Sequence, residues 1–402
     1  MSSIPARPAR DDAAASRRRA AWLVVGLVVV ALNLRPALSS VAPVLASIQS
    51  SLGLSAAQAG LLTTLPVLCL GLFAPLAPRL AARFDAERAV FAVLFVLAAG
   101  TALRGLFGTP GLFAGALLAG GAIGVIGVLL PGIVKREFPE RASLMMGLYT
   151  MSLCLGAATA AGLTVPLRDA FGDWRPALAA WGALALVAAF VWWPQLKGHT
   201  RVHPPSGPAA RLWRSPLAWA VTFYMGLQSS LAYIVFGWLP PILVDRGASP
   251  LEAGFMMSVS VLVQLVTAFT GPALATRLGH DQRPTLWLML ALALVGIFGC
   301  LYAPLSTVWL WVVFLGLGQG GQFSVAMLLI VLRSGDATTA ARLSGMSQGV
   351  GYTLAAMGPL AVGVLHDLTG GWDAVGVLFA LVTLAAAAAG WLGGQRRVIG
   401  GP

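Results

Sequence analysis

An all-α membrane protein, with twelve transmembrane helices in two pseudo-symmetric six-helix bundles, is expected from three features of this sequence. Apolar side chains make up 58% of the 402 residues and charged ones only 10%, so the chain carries more apolar surface than one water-soluble core can hide. That surface is gathered into runs of roughly 20 or more residues, enough to cross ~30 Å of hydrocarbon as helix. A short loop motif then recurs after the second and the eighth of these runs.

The first six runs fall near 20–48, 56–79, 88–107, 110–134, 142–167 and 174–195. Six more follow near 215–242, 249–275, 284–303, 306–333, 340–365 and 372–394. Between the two sets lies the long polar stretch 196–214, with Lys197, His199, Arg201, His203 and Arg211; it predicts a cytoplasmic linker. The halves are therefore an N-terminal bundle, 20–195, and a C-terminal bundle, 215–394, with tails at 1–19 and 395–402. Residues 1–16 are expected to be disordered. Arg17, Arg18 and Arg19 precede the first run as they would in a secretory signal. No small-x-small cleavage site follows, only Asn33-Leu34-Arg35-Pro36, so that run is read as the first span.

Lys and Arg are distributed unevenly between alternate loops. The tails and even-numbered loops hold 21 of them, including Arg79, Arg83, Lys135, Arg136, Arg277 and Arg342, against Arg104, Arg168, Arg175 and Arg246 on the other side. Positive charge near span ends stays in the cytoplasm, so both termini are placed inside a bacterial inner membrane. The same scatter argues against nucleic acid as the partner of the +12 net charge, because the cations form no stripe.

The repeat aligns Ala77-Pro78-Arg79-Leu80-Ala81-Ala82-Arg83-Phe84 with Gly271-Pro272-Ala273-Leu274-Ala275-Thr276-Arg277-Leu278. Two halves sharing a motif in corresponding loops imply two related bundles, with a site between them near the bilayer midplane.

These residues resemble the major facilitator superfamily, whose corresponding loops carry a Gly-x-Leu-Ala-Asp-Arg-x-Gly-type motif. The motif's Asp position holds Ala82 and Thr276, and its second Gly position holds Asp85 and Gly279. If that Asp latches the bundles together in the family, this chain manages the latch with other contacts. Within the superfamily the chain is similar to the cyanate porter family, which includes cyanate and 2-nitroimidazole transporters. The matching segments are Asn33 to Val41, Gly60 to Val67, Leu129-Leu130-Pro131, Lys135 to Pro139 and Gly147 to Thr150. The resemblance implies a transporter working by alternating access, and a monomer.

Inside the spans the informative residue is Arg35. All fourteen Asp and Glu fall in tails, loops or helix ends, whereas Arg35 lies near the centre of the first span. Arg at that depth costs roughly 2.5–3.5 kcal/mol on insertion scales, so such a residue faces a wet cavity and has a function. Its planar fork suits a small carboxylate, pseudohalide or nitro group, and Asn33 adds an amide beside it. Pro36 donates no backbone hydrogen bond and predicts a bend. The bland reading is that Arg35 binds only carbonyls.

Further candidates for the substrate-binding set are Tyr149 on the fifth span, Gln228 on the seventh, Gln264 on the eighth, Gln319 on the tenth and Tyr352 on the eleventh. Each serves equally well as interhelical glue. Gln322, Thr63 and Thr64 are lesser polar candidates.

The glycines Gly120, Gly121, Gly124 and Gly127, and Gly316, Gly318, Gly320 and Gly321, follow no strand and precede no Lys-Ser/Thr, so they predict close helix packing and not a phosphate loop. Trp22, Trp174, Trp192, Trp193, Trp213 and Trp238 sit near span ends and are expected as interfacial anchors. Cys69, Cys154 and Cys300 are far apart inside apolar runs and read as small buried hydrophobes. His366 lies near an outer helix end.

No catalytic dyad, metal triad or nucleotide motif is present, so neither an enzyme nor an ATP-driven pump is expected, and no cofactor is called for. The functional expectation is transport of a small anionic or electron-rich, cyanate-like solute. The alternatives are efflux of a neutral nitroaromatic or drug-like compound and, from another class, a non-transporting membrane sensor.

Overall fold

A computed structural model describes residues 9–54, 56–196, 210–279 and 281–399. Among them the chain is helical nearly throughout, as a backbone in hydrocarbon must be to satisfy its own hydrogen bonds. The N-terminal half contains α1 (Ala9–Asn33), α2 (Pro36–Ser39), α3 (Leu45–Leu52), α4 (Ala56–Phe73) and α5 (Leu76–Phe84). It continues with α6 (Ala86–Leu103), α7 (Gly108–Glu137), α8 (Ala142–Phe171) and α9 (Trp174–Trp192). After the four-residue α10 (Ala210–Trp213) come α11 (Pro216–Asp245), α12 (Pro250–Arg277), α13 (Arg283–Tyr302), α14 (Val308–Leu332), α15 (Ala337–Thr369) and α16 (Asp373–Gly393). Eleven stretches are long and apolar enough to cross a membrane, or twelve when α4 and α5, bent by 53° at their junction, count as one span.

The helix ends follow from local chemistry. Ser215, Ser249, Asp173 and Asp336 accept N-terminal amides of α11, α12, α9 and α15, and Ser249 with Glu252 forms a reciprocal capping box. At the other end, Gly172 and Gly370 take the left-handed conformation (φ +73° and +68°) that closes α8 and α15.

Two spans depart from the expected single rods, and proline accounts for both. The first, expected over 20–48, is interrupted at Leu34 and Arg35, resumes as α2, and passes through a short 3-10 turn into α3. The second bends where Pro75 precedes α5. The start of the chain departs as well: α1 begins at Ala9, inside the expected tail, where the run Ala13 to Ala15 favours helix. Residues 1–8, most of the 196–214 linker, His280 and residues 400–402 lie outside the described residues.

In the N-terminal half α7 is the central helix, packed by α4 and α6, while α1 packs on α8 and α9. In the C-terminal half α14 lies between α12 and α13, and α15 runs along α11. The glycine stripes permit these approaches. Gly120 and Gly124 lie against the backbone of Pro66 and Leu70, and Gly316 and Gly320 against the carbonyls of Ser260 and Gln264.

Two of the expected tryptophan anchors are instead core. Trp174 and Trp192 are buried, donating to Ser51 Oγ and the Glu87 carbonyl respectively, whereas Trp22, Trp193 and Trp213 are exposed. An indole N–H near a span end finds a partner in a neighbouring helix as readily as in a headgroup.

The halves meet through α8 on α12, and through α4 and α7 on α15. Thr150 donates to the Ala268 carbonyl at 2.8 Å, and Gln348 Nε2 donates to the Gly127 carbonyl at 2.9 Å. Gly147 faces the Phe269 carbonyl, and Gly132 faces Ala337 and Ala341. Lys135 is attracted to Asp336 across the same seam. These contacts lie toward the end that carries Arg79, Arg136 and Arg342. They join the halves in a chain that carries Ala82 and Thr276 at the motif's Asp position.

Candidate functional site

The break in the first span is built from its sequence. Pro36 has no N–H, so the Leu32 carbonyl one turn earlier loses its helical donor. Leu38 and Ser39 donate to the Arg35 carbonyl at 2.9 and 3.0 Å, which starts α2 immediately after the interruption. Arg35 thus leaves the chain from a break and not from the wall of a continuous helix. Its side chain is half-buried.

Groups from both halves surround the guanidinium. Tyr233 of α11, Tyr352 of α15, and Cys154 and Tyr149 of α8 are the titratable side chains that act on it electrostatically, and the Tyr233 hydroxyl is within hydrogen-bond reach. The ring of Phe323, from α14, lies 5.5 Å from the guanidinium carbon. Among the described residues no Asp or Glu acts on Arg35, and it forms no ion pair. The site is therefore a cation with phenolic and thiol donors and an aromatic face, lacking a protein counter-ion.

The residues singled out from sequence separate into two groups. Arg35, Tyr149 and Tyr352 come together, with Tyr149 and Tyr352 almost wholly buried. The other four are engaged elsewhere. Asn33 donates to its own helix at the Val29 carbonyl, 2.8 Å away, which ties its amide back along α1. Gln228 donates to Met225 O and Ser229 Oγ, both local. Gln264 donates to Gln319 Oε1 at 3.3 Å, and Gln319 in turn reaches the Leu231 carbonyl at 3.5 Å, which ties α12, α14 and α11 together. Gln322 donates to the Met289 carbonyl of α13. Thr64 is exposed, and the Thr63 side chain lies outside the described residues.

Sequence reading missed Tyr233, Phe323 and the position of Cys154, which is not fully buried and sits beside the cation, unlike Cys69 and Cys300. It also missed Gln348, whose amide bridges to Gly127 near the Tyr149 hydroxyl. His366 lies apart from Arg35, its ring 4.2 Å from that of Trp372.

Comparison with known proteins gives this arrangement a family. The model of the Major Facilitator Superfamily matches residues 22–356 and 232–401. The chain belongs to the major facilitator superfamily. As a member of this superfamily it is a multi-pass membrane transporter, not an enzyme.

The chain is 40% identical to an uncharacterised transporter of Bacillus subtilis (strain 168), over 94% of each chain. It is 38% identical to the 2-nitroimidazole transporter of Escherichia coli (strain K12), over 94% of this chain and 96% of that one. It is also 33% identical to the cyanate transport protein CynX of the same strain, over 87% and 91%. The superfamily fold is matched by a solved proton:xylose symporter (TM-score 0.75, 12% identity, covering 92% of this chain and 94% of that one). A fucose transporter in its outward conformation also matches (TM-score 0.71, 15% identity, 93% and 99%).

Proposed function

We propose that this chain carries a small anionic or electron-rich solute, cyanate-like in charge and size, across a bacterial inner membrane by alternating access, with Arg35 as the substrate's counter-charge. The observation that carries the reading is a guanidinium set in a helix break between the two halves, with no carboxylate acting on it. Placing Arg at mid-bilayer costs roughly 2.5–3.5 kcal/mol on insertion scales. The cation–π contact with Phe323 offsets about 0.5–2 kcal/mol of that. A monoanion about 4 Å away contributes about 4 kcal/mol at an effective dielectric of ~20. A bound anion therefore matches the site better than the protein's own groups do.

Tyr149, Tyr233 and Tyr352 supply hydroxyl donors to the same ligand, and Phe323 a flat face beside it. Asn33, Gln228, Gln264 and Gln319 hold the helices that carry these groups. With the basic end taken as cytoplasmic, both termini lie inside and the halves are joined on the inner side. The conformer then faces outward, and rocking of the halves about Arg35 completes the cycle. Inward movement of a monovalent anion works against roughly 2.3 kcal/mol per 100 mV, so uptake needs counter-exchange, a cotransported cation or consumption inside.

Export of a neutral nitroaromatic is the second reading. It is favoured by the aromatic lining and by the relative described as a 2-nitroimidazole transporter. The two are separated by thermal stabilisation of the purified protein with cyanate, nitrate, acetate, 2-nitroimidazole and unsubstituted imidazole, since a ligand of the native state raises the melting temperature with its concentration. Stabilisation by one of the anions supports the first reading. Stabilisation by the neutral aromatics alone replaces it with the second.

A further inference from the structure

We propose that Arg104 is a positioning residue: from the end of α6 it holds the Ala37 carbonyl, and so fixes the break that presents Arg35. The functional half of this inference rests on the reading of Arg35 as the substrate's counter-charge; the structural half does not.

Arg104 is 1% exposed, and its Nη1 donates to the Ala37 carbonyl at 2.6 Å. That carbonyl lies two residues beyond Arg35, in the four-residue α2. Within this short helix Leu38 and Ser39 donate to Arg35 O and Ser40 donates to Pro36 O, while among the described residues Ala37 O receives no backbone N–H. It is an orphan acceptor at the end of a helix too short to satisfy it. Arg104 reaches it across α7 at Gly115, where a Cβ would lie 2.7 Å from the Arg104 Cγ. The absence of a side chain at Gly115 is what gives the guanidinium its passage.

The arrangement is poor as a stabilising device, which is the reason to look for another role. Among the described residues, Nε and Nη2 of Arg104 have no hydrogen-bond partner. A buried cation with unmet donors is less stable than a well-packed apolar side chain of similar length. The other Arg that reach into helix ends use their forks more fully: Arg333 donates to the Gly393 and Gly394 carbonyls and to Gln282, and Arg246 to those of Cys300 and Ala303. Both of these cap long helices, α16 and α13. Arg104 alone among the three is directed at the segment that follows Arg35 and Pro36, and what it secures is the direction in which α1 ends and α2 begins.

The test compares the full-length protein with Arg104→Met and Arg104→Lys. Methionine removes the buried charge while keeping length, so the melting temperature without ligand is expected to stay level or rise. Backbone amide exchange over residues 34–41 is expected to accelerate at least tenfold, with the other spans unchanged. Affinity for the stabilising member of the panel above is expected to fall about tenfold, and Arg104→Lys, which retains a donor, to recover part of both changes.

Unchanged exchange over 34–41 in Arg104→Met overturns the inference. So does faster exchange with full affinity, provided that Arg35→Gln weakens binding. If Arg35→Gln also leaves affinity intact, the counter-charge reading fails, and the exchange result alone decides whether Arg104 holds the break. Should Arg104→Met not fold, Arg104→Lys decides in its place: exchange over 34–41 faster than in the wild type sustains the inference, and exchange at the wild-type rate overturns it.

Discussion

Gly156 of α8 faces the Leu32 carbonyl of α1 so closely that a Cβ at that position would overlap the oxygen. Leu32 is the residue whose carbonyl Pro36 leaves without a helical donor. A glycine two residues from Cys154 and seven from Tyr149 thus lets α8 close on the broken turn and bring both side chains to Arg35, its Cα–H serving as a weak donor to the freed oxygen.

Gly156→Ala is expected to push α8 away from α1. Overpacking of this kind costs about 1–3 kcal/mol. It should appear as a lower melting temperature in detergent together with weaker substrate binding, whereas Gly162→Ala, where nothing lies within 4 Å, should leave binding unchanged and the melting temperature level or slightly higher.

Gln348 of α15 donates across the halves to the Gly127 carbonyl of α7, close to the Tyr149 hydroxyl. Gln348→Leu removes the donor to that carbonyl, and one neutral hydrogen bond is worth about 0.5–1.5 kcal/mol. The equilibrium between joined and parted halves should shift away from the joined state by roughly two- to twelvefold. Spin labels on α7 and α15 near Lys135 and Asp336 would report this as a larger long-distance fraction; an unchanged distribution would remove Gln348 from the closure.

Thr150→Val tests the second seam, since the Thr150 hydroxyl lies 2.8 Å from both Met146 O and Ala268 O. Valine keeps the shape but leaves the Ala268 carbonyl without this donor. The same distance measurement between α8 and α12 should shift in the same direction as for Gln348→Leu, and by a similar amount.

The side chains acting on Arg35 are three phenols and a thiol, with no carboxylate or imidazole among them. Binding of the anion of a strong acid is therefore expected to be flat between about pH 5.5 and 7.5, below the ordinary ionisation range of these groups. A titration of affinity inside that window would point to a proton site away from Arg35, with His366 and Asp245, 4.0 Å apart, as the pair to substitute.

The sequence makes the spans legible because length and hydropathy are enough to find them, and it makes Arg35 legible because a cation in hydrocarbon is conspicuous. The partners of Arg35 are less so. In a helix that is apolar all round, neither lipid nor bundle contact leaves a mark on composition, so the inward face cannot be read. Gln228 and Tyr233 show the difficulty. They share α11 and are both polar, but five residues place them roughly 140° apart around the helix; the glutamine bonds locally and the tyrosine reaches Arg35. Phe323 carries no polar signal at all. Trp174 and Trp192 failed as anchors for the same reason, since their position near a span end does not say which way the indole turns.

Equilibrium binding of cyanate to the purified wild-type protein and to Arg35→Gln, at matched ionic strength, measures what Arg35 contributes to holding the anion. A hydrogen bond to a charged partner is worth about 1.5–3 kcal/mol. Arg35→Gln should therefore keep its ligand-free melting temperature while its affinity falls by about 10- to 150-fold. Equal affinity in the two proteins would leave Arg35 as a structural cation held by Tyr233 and Phe323, and not the substrate's counter-charge.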